Sequence, residues 1–380
     1  MTPRIAVVQH GDAREARRLR AAGLPEPYAG MHYSQGFLDG WLAGRPHLIV
    51  SLDAPAYSEC HGDGLLIGLP EPSASAVLPR TATEFRWARR IVHELIRFRP
   101  THFLLRTGSL RGTVLLRAAV RQRWQTLAMF AGFFPTRRLY DRLLTSSLVR
   151  LLNHPLVFAV GNHRWPATDS MIEAGVNPSK AIAWDYPSER DPADSPVKQF
   201  SGGRIELVYA GAMVRPKGVD EAIDAVADLC RKGRDVRLTL CGDGRDLSMF
   251  RRKAAGLGDR ASILGRVGND EVVRQMAAAT FVVVPTRHDF PEGFPLTLTE
   301  ALTTRTPVLA SDHPVFTRAL ADGEGIRYFP ARDSAALARL IEEVSRDPLA
   351  YADLSLRTEG AFEKLRCRTR FDEVVTRWLA

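Results

Sequence analysis

The chain has 380 residues, of which 45% are hydrophobic and 25% charged, and its formal net charge is +9. This length exceeds one ordinary hydrophobic core and fits two domains of common size, and the composition is that of a globular protein. No run of 18 or more apolar residues occurs, which argues against a membrane-spanning helix. The N-terminus lacks a signal-peptide pattern and the four cysteines are isolated, so we expect a cytoplasmic protein.

Short apolar runs alternate with longer amphipathic runs along the first half of the chain. The strand-like runs are residues 4–9, 47–52, 64–69, 102–106, 125–130 and 156–161, and helical patterns cover residues 84–98 and 111–123. This alternation is typical of a parallel sheet with helices on both faces. It predicts a first Rossmann-like domain over residues 1–187.

Residues 188–203 interrupt the rhythm because they are rich in Pro, Ser, Asp and Gly, and they predict a linker. The strands then resume at 205–211, 236–242, 261–265, 280–285 and 307–311, with helices at 219–232, 247–255, 269–278 and 296–303. We therefore expect a second α/β domain over residues 204–360, with residues 361–380 returning as a helix to the first. Two doubly wound domains in tandem predict a ligand in a central cleft, between the carboxyl edges of the two sheets.

Positive charge is concentrated in residues 80–150, which contain 15 arginines but only Glu84, Glu94 and Asp141 as acids. The cations alternate with large apolar groups, as in helices that lie at membrane interfaces. The residues concerned are Arg86, Trp87, Arg89, Arg90, Phe98, Arg111, Arg117, Arg121, Arg123 and Trp124. Solvated helix faces are the alternative, and without a nucleic-acid-binding motif we predict no nucleic acid but an anionic membrane surface as partner.

Residues 291–312, PEGFPLTLTEALTTRTPVLASD, place Glu292 in a Gly/Pro loop and Glu300 on a helix-like run. Pro295 suits the first helical position, which leaves the amides of residues 296–298 free to bind an anion. Each carboxylate can accept hydrogen bonds from two hydroxyl groups. Two carboxylates flanking a diphosphate site predict a binding site for a nucleoside diphosphate sugar. A helix-start glutamate and an unrelated surface glutamate are the alternative, and the residues alone leave both open.

Two further polar loops follow successive strands of the second domain. Arg215 and Lys217 come after the strand that ends at Gly211, where they could neutralise a leaving diphosphate, although ordinary loop cations look the same. The CGDGRD turn of residues 241–246 has glycines that let a nucleoside lie close to the backbone. Because these loops follow parallel strands, they are expected to open on one edge of the sheet.

In this order, the motifs of residues 205–331 resemble the donor domain of the retaining glycosyltransferases of family 4, which have the GT-B fold. The likeness rests on a strand-G-x5-K-G loop with Gly211, Lys217 and Gly218, and on a GDG turn of Gly242, Asp243 and Gly244. It also includes LGRV at residues 264–267 and the E-x7-E signature EGFPLTLTE that begins at Glu292.

The resemblance implies a role for each matching residue. Glu300 would bind ribose hydroxyls, Glu292 the donor sugar, and Lys217 the diphosphate. The remaining donor contacts would come from the backbone of Phe294, Pro295, Leu296 and Thr297 for sugar and phosphate, and from Val267 and its neighbours for the base. The predicted catalytic residues are Glu292, Lys217, Arg215 and His10.

The chain departs from the family pattern at Ala212, where an arginine is usual, and we hypothesise that Arg215 replaces it. The first half resembles the acceptor domains of the family only in rhythm. Its acceptor-side candidates follow the first and sixth strands, and they are His10, Gly11, His163 and Arg164. The alternative for each histidine is a strand-end side chain bonded to backbone.

Taken with the resemblance, which implies retention, these observations predict a hexosyltransferase that uses a UDP- or GDP-linked sugar and a glycan or lipid-linked acceptor, in cell-surface polysaccharide biosynthesis. No D-x-D motif occurs, so we expect neither a metal ion nor another cofactor. Two alternatives remain: a sugar-nucleotide epimerase of related fold, and a non-catalytic scaffold that binds nucleotide sugar and membrane. Turnover that depends on an acceptor would exclude the epimerase. Loss of that turnover on mutating Glu292 would exclude the scaffold.

Overall fold

The computed structural model describes residues 2–24, 26, 30–70, 80–134, 139–290 and 292–379. They form two compact units. The first unit contains the described residues up to 26 together with 30–186 and those from 367 onward, and the second contains 187–366.

The first unit is an α/β layer structure around one sheet. Its described strands are β1 (Ile5–His10), β2 (His47–Leu52), β3 (Tyr57–His61), β4 (Gly64–Leu69), β5 (His102–Arg106), β6 (Gln125–Phe130), β7 (Val157–His163) and β8 (Ala181–Trp184). Its helices before the second unit are α1 (Ala13–Ala21), α2 (Met31–Leu42), α3 (Arg80–Phe98), α4 (Ser109–Arg121), α5 (Leu139–Leu152) and α6 (Arg164–Glu173).

The strands of this sheet lie in the order β3-β4-β2-β1-β5-β6-β7-β8, and all neighbours are parallel except the edge pair β3 and β4. Residues of β1 alternate between two hydrophobic clusters, with Ala6 and Val8 in one and Ile5 and Val7 in the other. The sheet is therefore buried on both faces, as the near-continuous apolar strands require. The strand order reverses beside β1, because β2 lies on one side of it and β5 on the other.

The second unit repeats this architecture on a smaller scale. Its described strands are β9 (Ile205–Ala210), β10 (Val236–Cys241), β11 (Ala261–Gly265), β12 (Phe281–Val284), β13 (Val308–Ser311) and β14 (Ile326–Phe329), in the parallel order β11-β10-β9-β12-β13-β14. The helices are α7 (Val219–Arg231), α8 (Leu247–Ala255), α9 (Asn269–Ala278), α10 (Leu296–Thr303), α11 (Pro314–Ala319), α12 (Ser334–Arg346), α13 (Pro348–Leu356) and α14 (Thr358–Leu365). Here the order reverses between β9 and β12.

The last helix, α15 (Phe371–Leu379), packs in the first unit, where Phe371, Val374, Val375 and Trp378 join the core around Ile5. The preceding helix α14 belongs to the second unit, so the chain returns later than the predicted boundary at residue 361. The predicted linker also packs on the second unit. Ser195 donates a hydrogen bond to the carbonyl of Thr303 (2.9 Å), and Lys198 donates to the carbonyls of Met276 and Ala279.

The strands and helices named from the sequence are all present, with ends displaced by a few residues. The elements without a predicted counterpart have weak or unusual sequence patterns. Helix α1 was missed because five of its nine residues are charged and the residues it buries are alanines; its start is fixed by Asp12, whose side chain accepts the amides of Arg14 and Glu15. Strand β3 was missed because, as an edge strand, it buries little apolar surface. The other missed elements are α2, α5, α6, β8, β14 and α11 to α14.

The arginine-rich residues divide between the core and the surface of the α3–α5 layer. Trp87, Trp124 and Arg111 are buried, which corrects their assignment to an interfacial face. Arg111 lies over Trp87 and donates two hydrogen bonds to the carboxylate of Glu84. The outer face keeps exposed arginines and apolar side chains, and these are Arg86, Arg89, Arg90, Arg97, Arg117, Arg121, Arg142, Arg150, Phe85, Ile96 and Leu143. Residues 135–138 lie outside the described residues.

Within the described ranges, none of the helices combines the length and apolar character needed to cross a bilayer.

Candidate functional site

The predicted donor residues collect at the point where the strand order of the second sheet reverses. Strands β9 and β12 are paired neighbours there, and the loops that follow them leave the same edge. Open parallel sheets bind ligands at this position because the two adjacent loops diverge and leave a crevice.

Lys217 and Glu292 form an ion pair that joins these two loops. The side chains are only 14% and 9% exposed, and the hydroxyl of Thr286 also donates to Oε2 of Glu292 at 3.2 Å. The ammonium group lies 4.5 Å from the ring centroid of Phe290. The structure thus brings together the predicted diphosphate cation and the predicted hexose carboxylate, and each neutralises the other.

Tyr209, a site residue with no sequence signal, is buried and close enough to Glu292 for the carboxylate charge to act on its hydroxyl group. Its hydroxyl donates to the carbonyl of Ala212 at 2.8 Å. Burial raises the pKa of Tyr209 well above its usual range, and the negative charge of Glu292 acts in the same direction. The tyrosine therefore remains protonated and fixes the start of the loop that carries Lys217. An aromatic residue inside a strand has no pattern that would mark such a role.

The glycines of these loops are required by backbone packing between neighbouring loops. A Cβ atom on Gly218, whose φ is +73°, would lie 1.9 Å from the carbonyl oxygen of Pro285. A Cβ atom on Gly242 would lie 1.8 Å from the carbonyl oxygen of Gly211, and Gly244 meets the adjacent loop in the same way. The three loops therefore form one closely packed platform at the edge of the sheet.

The turn after β10 presents Asp243, whose side chain is about half exposed and accepts the amide of Gly244 at 2.8 Å. Gly265 ends β11, and its carbonyl accepts the amide of Gly242 at 2.8 Å. Val267, the predicted base contact, follows on this segment and is partly exposed. These residues lie beside the Lys217 loop because β10 is the neighbour of β9.

Helix α10 spans the predicted residues 296–303, but Pro295 is not its first helical residue. Pro295 has φ −70° and ψ 131°, so it is the extended residue before the helix, and Leu296 is the first helical residue. The amide of Leu298 donates to the carbonyl of Pro295 at 3.1 Å, which removes it from the predicted anion site. The amides of Leu296 and Thr297 remain at the positive end of the helix dipole. The Thr297 hydroxyl bonds to the carbonyl of Ala210 and ties this helix start to the end of β9.

Phe294 is 3% exposed and anchors the loop before this helix. Its predicted donor contact therefore concerns its backbone alone. Pro291, which opens the same stretch, lies outside the described residues.

Glu300 is held by a chain of polar contacts that the sequence analysis did not find. The amide group of Asn269 donates to Oε1 of Glu300 at 2.6 Å, and Arg190 donates to Oδ1 of Asn269 at 3.1 Å. Arg190 also pairs with Asp270 at 2.5 Å. The position of Asn269 at the start of α9 and of Arg190 in a Pro-rich segment offered no signal of this role.

Arg215 projects from the loop, with 65% of its side chain exposed and Nε 4.0 Å from Oδ2 of Asp220. Its backbone amide donates to Asp246 at 2.8 Å, so the loop is fixed while the guanidinium stays exposed. Arg287 was missed by the sequence analysis. It bonds to both Asp220 and Glu221 in the first turn of α7 and thereby anchors the loop that carries Glu292.

His10 ends β1 in the first unit, and Gly11 follows it with open space around it. The histidine bonds to Asp53 and Thr107, which were not predicted. The bonding partners are therefore side chains, in contrast to the alternative of a bond to backbone.

His163 and Arg164 are correctly placed at a strand end, but both are buried, which corrects their assignment as accessible acceptor contacts. Each lies 3.0 Å from a carboxylate oxygen of Asp185, and His163 packs against Trp184 and Tyr186. The backbone of Asp185 also bonds to the segment leading into α15. The chain segment that leads into α15 therefore covers this strand end, and His163 and Arg164 have a structural role there.

The architecture of both units is that of the GT-B glycosyltransferases, and solved structures of that fold match almost the whole chain. An Anabaena protein, Alr3699/HepE in complex with UDP and glucose, matches with a TM-score of 0.64 and 14% identity, covering 99% of each chain. Sucrose-phosphate synthase from Thermosynechococcus elongatus matches with a TM-score of 0.61 and 17% identity, covering 95% of each chain. The GT-B fold expected from the sequence is confirmed.

Residues 191–359 match the family of glycosyl transferases group 1, which supports a glycosyltransferase. The similar curated proteins include a phosphatidyl-myo-inositol mannosyltransferase of Mycobacterium leprae, 35% identical over 142 residues that cover 37% of each chain. Another is the alpha-D-kanosaminyltransferase of Streptomyces kanamyceticus, 28% identical over 37% of this chain and 36% of that protein. The matches thus span little more than a third of the length of these relatives.

Proposed function

We propose that this protein transfers a hexosyl group from a UDP- or GDP-linked sugar to a glycan or lipid-linked acceptor, with retention of configuration. The observation that carries the proposal is the Lys217–Glu292 ion pair, at the strand-order reversal of the second sheet and beside the start of α10. A cation, two helix-start amides and two carboxylates at one sheet edge fit a diphosphate flanked by hydroxyl-bearing sugars.

On donor binding, Lys217 exchanges Glu292 for the diphosphate, and the amides of Leu296 and Thr297 bind its oxygens. Glu292 then accepts hydroxyl groups of the hexose, while Glu300, oriented by Asn269, accepts those of the ribose. The base lies along the segment that includes Val267. In this arrangement each charged group of the ligand-free site acquires a partner of opposite charge or a hydroxyl donor.

The chemical step we propose is a front-face displacement. The bond from the anomeric carbon to the phosphate oxygen breaks, the acceptor oxygen bonds to that carbon on the same face, and the acceptor proton passes to the departing phosphate. Lys217, the α10 amides and the exposed Arg215 stabilise the charge that develops on the diphosphate, in place of a metal ion. No protein nucleophile is required, and no cofactor takes part.

We further propose that the protein acts at the cytoplasmic face of the cell membrane, in the assembly of surface glycans or glycolipids. The outer face of α3–α5 combines exposed arginines with Phe85, Ile96 and Leu143, which suits an anionic lipid surface. A relative named for transfer to phosphatidyl-myo-inositol supports a lipid-linked acceptor.

Vesicle sedimentation tests the membrane contact. Two exposed arginines of α3, Arg89 and Arg90, are changed to Glu, and the same change at exposed Arg251 and Arg252 of α8 is the matched control. We expect the α3 variant to bind phosphatidylglycerol vesicles roughly 30-fold more weakly, since each lost basic residue costs about 1 kcal/mol. Equal binding by both variants, or equal binding to neutral phosphatidylcholine, contradicts the proposed membrane surface.

Acceptor-dependent turnover tests the enzymatic function. UDP- and GDP-linked hexoses are incubated with the protein, with and without a lipid-linked glycan extract, and nucleotide release is measured. We expect release that requires the extract and is lost in the Glu292→Gln and Glu300→Gln variants. Conversion of the sugar nucleotide without an acceptor would instead identify an epimerase. Nucleotide-sugar binding without turnover would identify a scaffold.

A further inference from the structure

His313 connects the end of β13 to the loop that carries Glu292. It follows β13 after Asp312, it is the residue that caps the start of α11, and only 3% of it is exposed. Its ring packs on Phe316, with the ring centroids 5.1 Å apart. None of the donor motifs contains this histidine, so its position against the Glu292 loop calls for an explanation of its own.

Both ring nitrogens of His313 are bonded to backbone groups whose roles are fixed. Nδ1 lies 3.3 Å from the amide nitrogen of Val315, which can only donate. Nε2 lies 3.2 Å from the carbonyl oxygen of Phe290, which can only accept. Nδ1 is therefore unprotonated and Nε2 carries the hydrogen, so the ring is neutral. Burial lowers the pKa of His313 and favours the same neutral form.

Phe290, the residue that His313 holds, contacts both members of the Lys217–Glu292 ion pair. Its carbonyl oxygen also accepts the backbone amide of Glu292 at 2.8 Å. Its ring faces the ammonium group of Lys217, which lies 4.5 Å from the ring centroid. A carbonyl oxygen has two lone pairs, so it can accept both hydrogen bonds. His313 is therefore linked to each charged group through one intermediate residue.

A second histidine joins the same two loops but is bonded to Asp312 rather than to Phe290. Nε2 of His288 lies 2.7 Å from Oδ1 of Asp312, and the two side chains are 41% and 44% exposed. This contact ties the loops together near the surface, whereas the contact of His313 is buried beside the ion pair. The two histidines thus differ in the residue that each one holds.

We propose that His313 is a positioning residue for the Lys217–Glu292 pair: its Nε2–H group holds the Phe290 carbonyl and thereby places Glu292 against the hexose of the donor. The contacts belong to the second unit alone, while their importance for transfer rests on the proposed function. His313 itself touches no reacting atom, so its loss should misplace the catalytic groups and leave them present.

Two substitutions separate the two hydrogen bonds of the ring. His313→Asn keeps an acceptor for the Val315 amide, because Asn is a favoured N-cap residue, but it is too short to reach the Phe290 carbonyl. His313→Gln places a donor near the position of Nε2 and gives up the cap. We expect kcat for nucleotide release, measured with the acceptor extract, to fall about 10-fold in His313→Asn and less than about 3-fold in His313→Gln. A role confined to capping α11 predicts the reverse order.

His288→Asn is the matched control, since it removes a bond between the same loops that does not involve Phe290, and it should change kcat less than about 3-fold. A double-mutant cycle supplies a readout that needs no turnover. In thermal melts, Glu292→Gln should lower Tm about half as much in the His313→Asn background as in the wild type, because the ion pair is already displaced there.

Additive changes in Tm, or the reverse order of turnover for His313→Asn and His313→Gln, would overturn the positioning role. A His288→Asn variant that loses as much turnover as His313→Asn would overturn it as well. If the wild-type protein turns over neither UDP- nor GDP-linked sugars, the proposed function fails. The cycle of Tm values then still decides whether His313 holds the ion pair in place.

Discussion

Because Lys217 pairs with Glu292, changing Glu292 to Gln should lower the stability of the protein and raise its affinity for nucleotide. In this structure the carboxylate is the partner of Lys217. In the proposed donor complex the diphosphate takes that place. Removing the carboxylate charge should therefore destabilise the fold and at the same time remove a competitor of the diphosphate for Lys217.

The loss of stability follows from the burial of the pair. Removing one partner of a buried ion pair costs about 3–5 kcal/mol because an uncompensated charge remains. Both side chains retain slight exposure, and the glutamine that replaces Glu292 can keep the hydrogen bond from Thr286, so we expect the lower end of this range. For a unit of this size the cost corresponds to a fall in Tm of about 6–12 °C.

The gain in nucleotide affinity follows from the same interaction. Wild-type protein must separate Lys217 from Glu292 before the cation can meet a diphosphate, whereas the Glu292→Gln variant offers the cation at once. We expect UDP or GDP to bind about 10-fold more tightly to the variant, a difference of about 1.4 kcal/mol. Turnover of the nucleotide sugar should nevertheless fall at least about 10-fold, because the hexose loses a charged hydrogen-bond acceptor.

Differential scanning calorimetry and isothermal titration with UDP and GDP measure the two effects. Glu363→Gln, which removes an exposed acid of the same unit paired with Arg366, is the control and should change neither quantity noticeably. Lys217→Met should abolish most nucleotide affinity. A Glu292→Gln variant with unaltered Tm, or one whose nucleotide affinity falls in parallel with that of Lys217→Met, refutes the exchange of partners.

Three further predictions concern the second unit. Asn269→Ala frees Glu300 from its 2.6 Å hydrogen bond, so steady-state kinetics should show KM for the nucleotide sugar rising about 10-fold while kcat changes little; an equal fall in kcat contradicts a positioning role. Gly218→Ala places a Cβ atom 1.9 Å from the Pro285 carbonyl and should lower Tm by more than about 10 °C in thermal melts, whereas Gly256→Ala, where the nearest atom is 3.6 Å away, should not. Burial lowers the pKa of Lys198 from 10.5 to about 8, so between these values the unfolded chain holds a proton that the folded chain has released. The free energy of unfolding from denaturant titrations should therefore rise with pH in this window by at most about 3 kcal/mol, and Lys198→Met should remove the rise.

The elements that could be predicted are those whose apolar pattern reflects burial on both faces or along one stripe. Strand β1 is entirely apolar from Ile5 to Val8, and α7 repeats buried residues at helical spacing from Val219 to Leu229. The missed elements lack this pattern because their burial depends on the rest of the fold. Strand β8, only four residues long, is defined by pairing with β7 and by the returning chain before α15.

Site residues could be predicted where a single loop motif contains them. They could not be predicted where their function depends on a contact between residues that are distant in the sequence. Lys217 and Glu292 were each identified from their own motif, but their ion pair joins loops after different strands. Asp53 gave no sequence signal because its hydrogen bond to His10 depends on β2 lying beside β1. Asn269 acts through a hydrogen bond to Glu300, which helix packing decides and local sequence does not.

The position of a strand in its sheet explains which strand-end polar residues are open to a ligand. His10 and His163 look equivalent in the sequence, since each ends a strand and precedes a helix. His10 ends a strand beside the reversal of strand order, where neighbouring loops diverge, and it is half exposed. His163 ends β7, near the edge of the sheet. There the returning chain segment covers the strand end, and Asp185 lies within hydrogen-bond distance of the His163 ring. Strand order, which the local pattern does not contain, therefore separates the candidate ligand contact from the structural histidine, and Lys217 and Glu292 lie at the corresponding reversal beside β9 and β12.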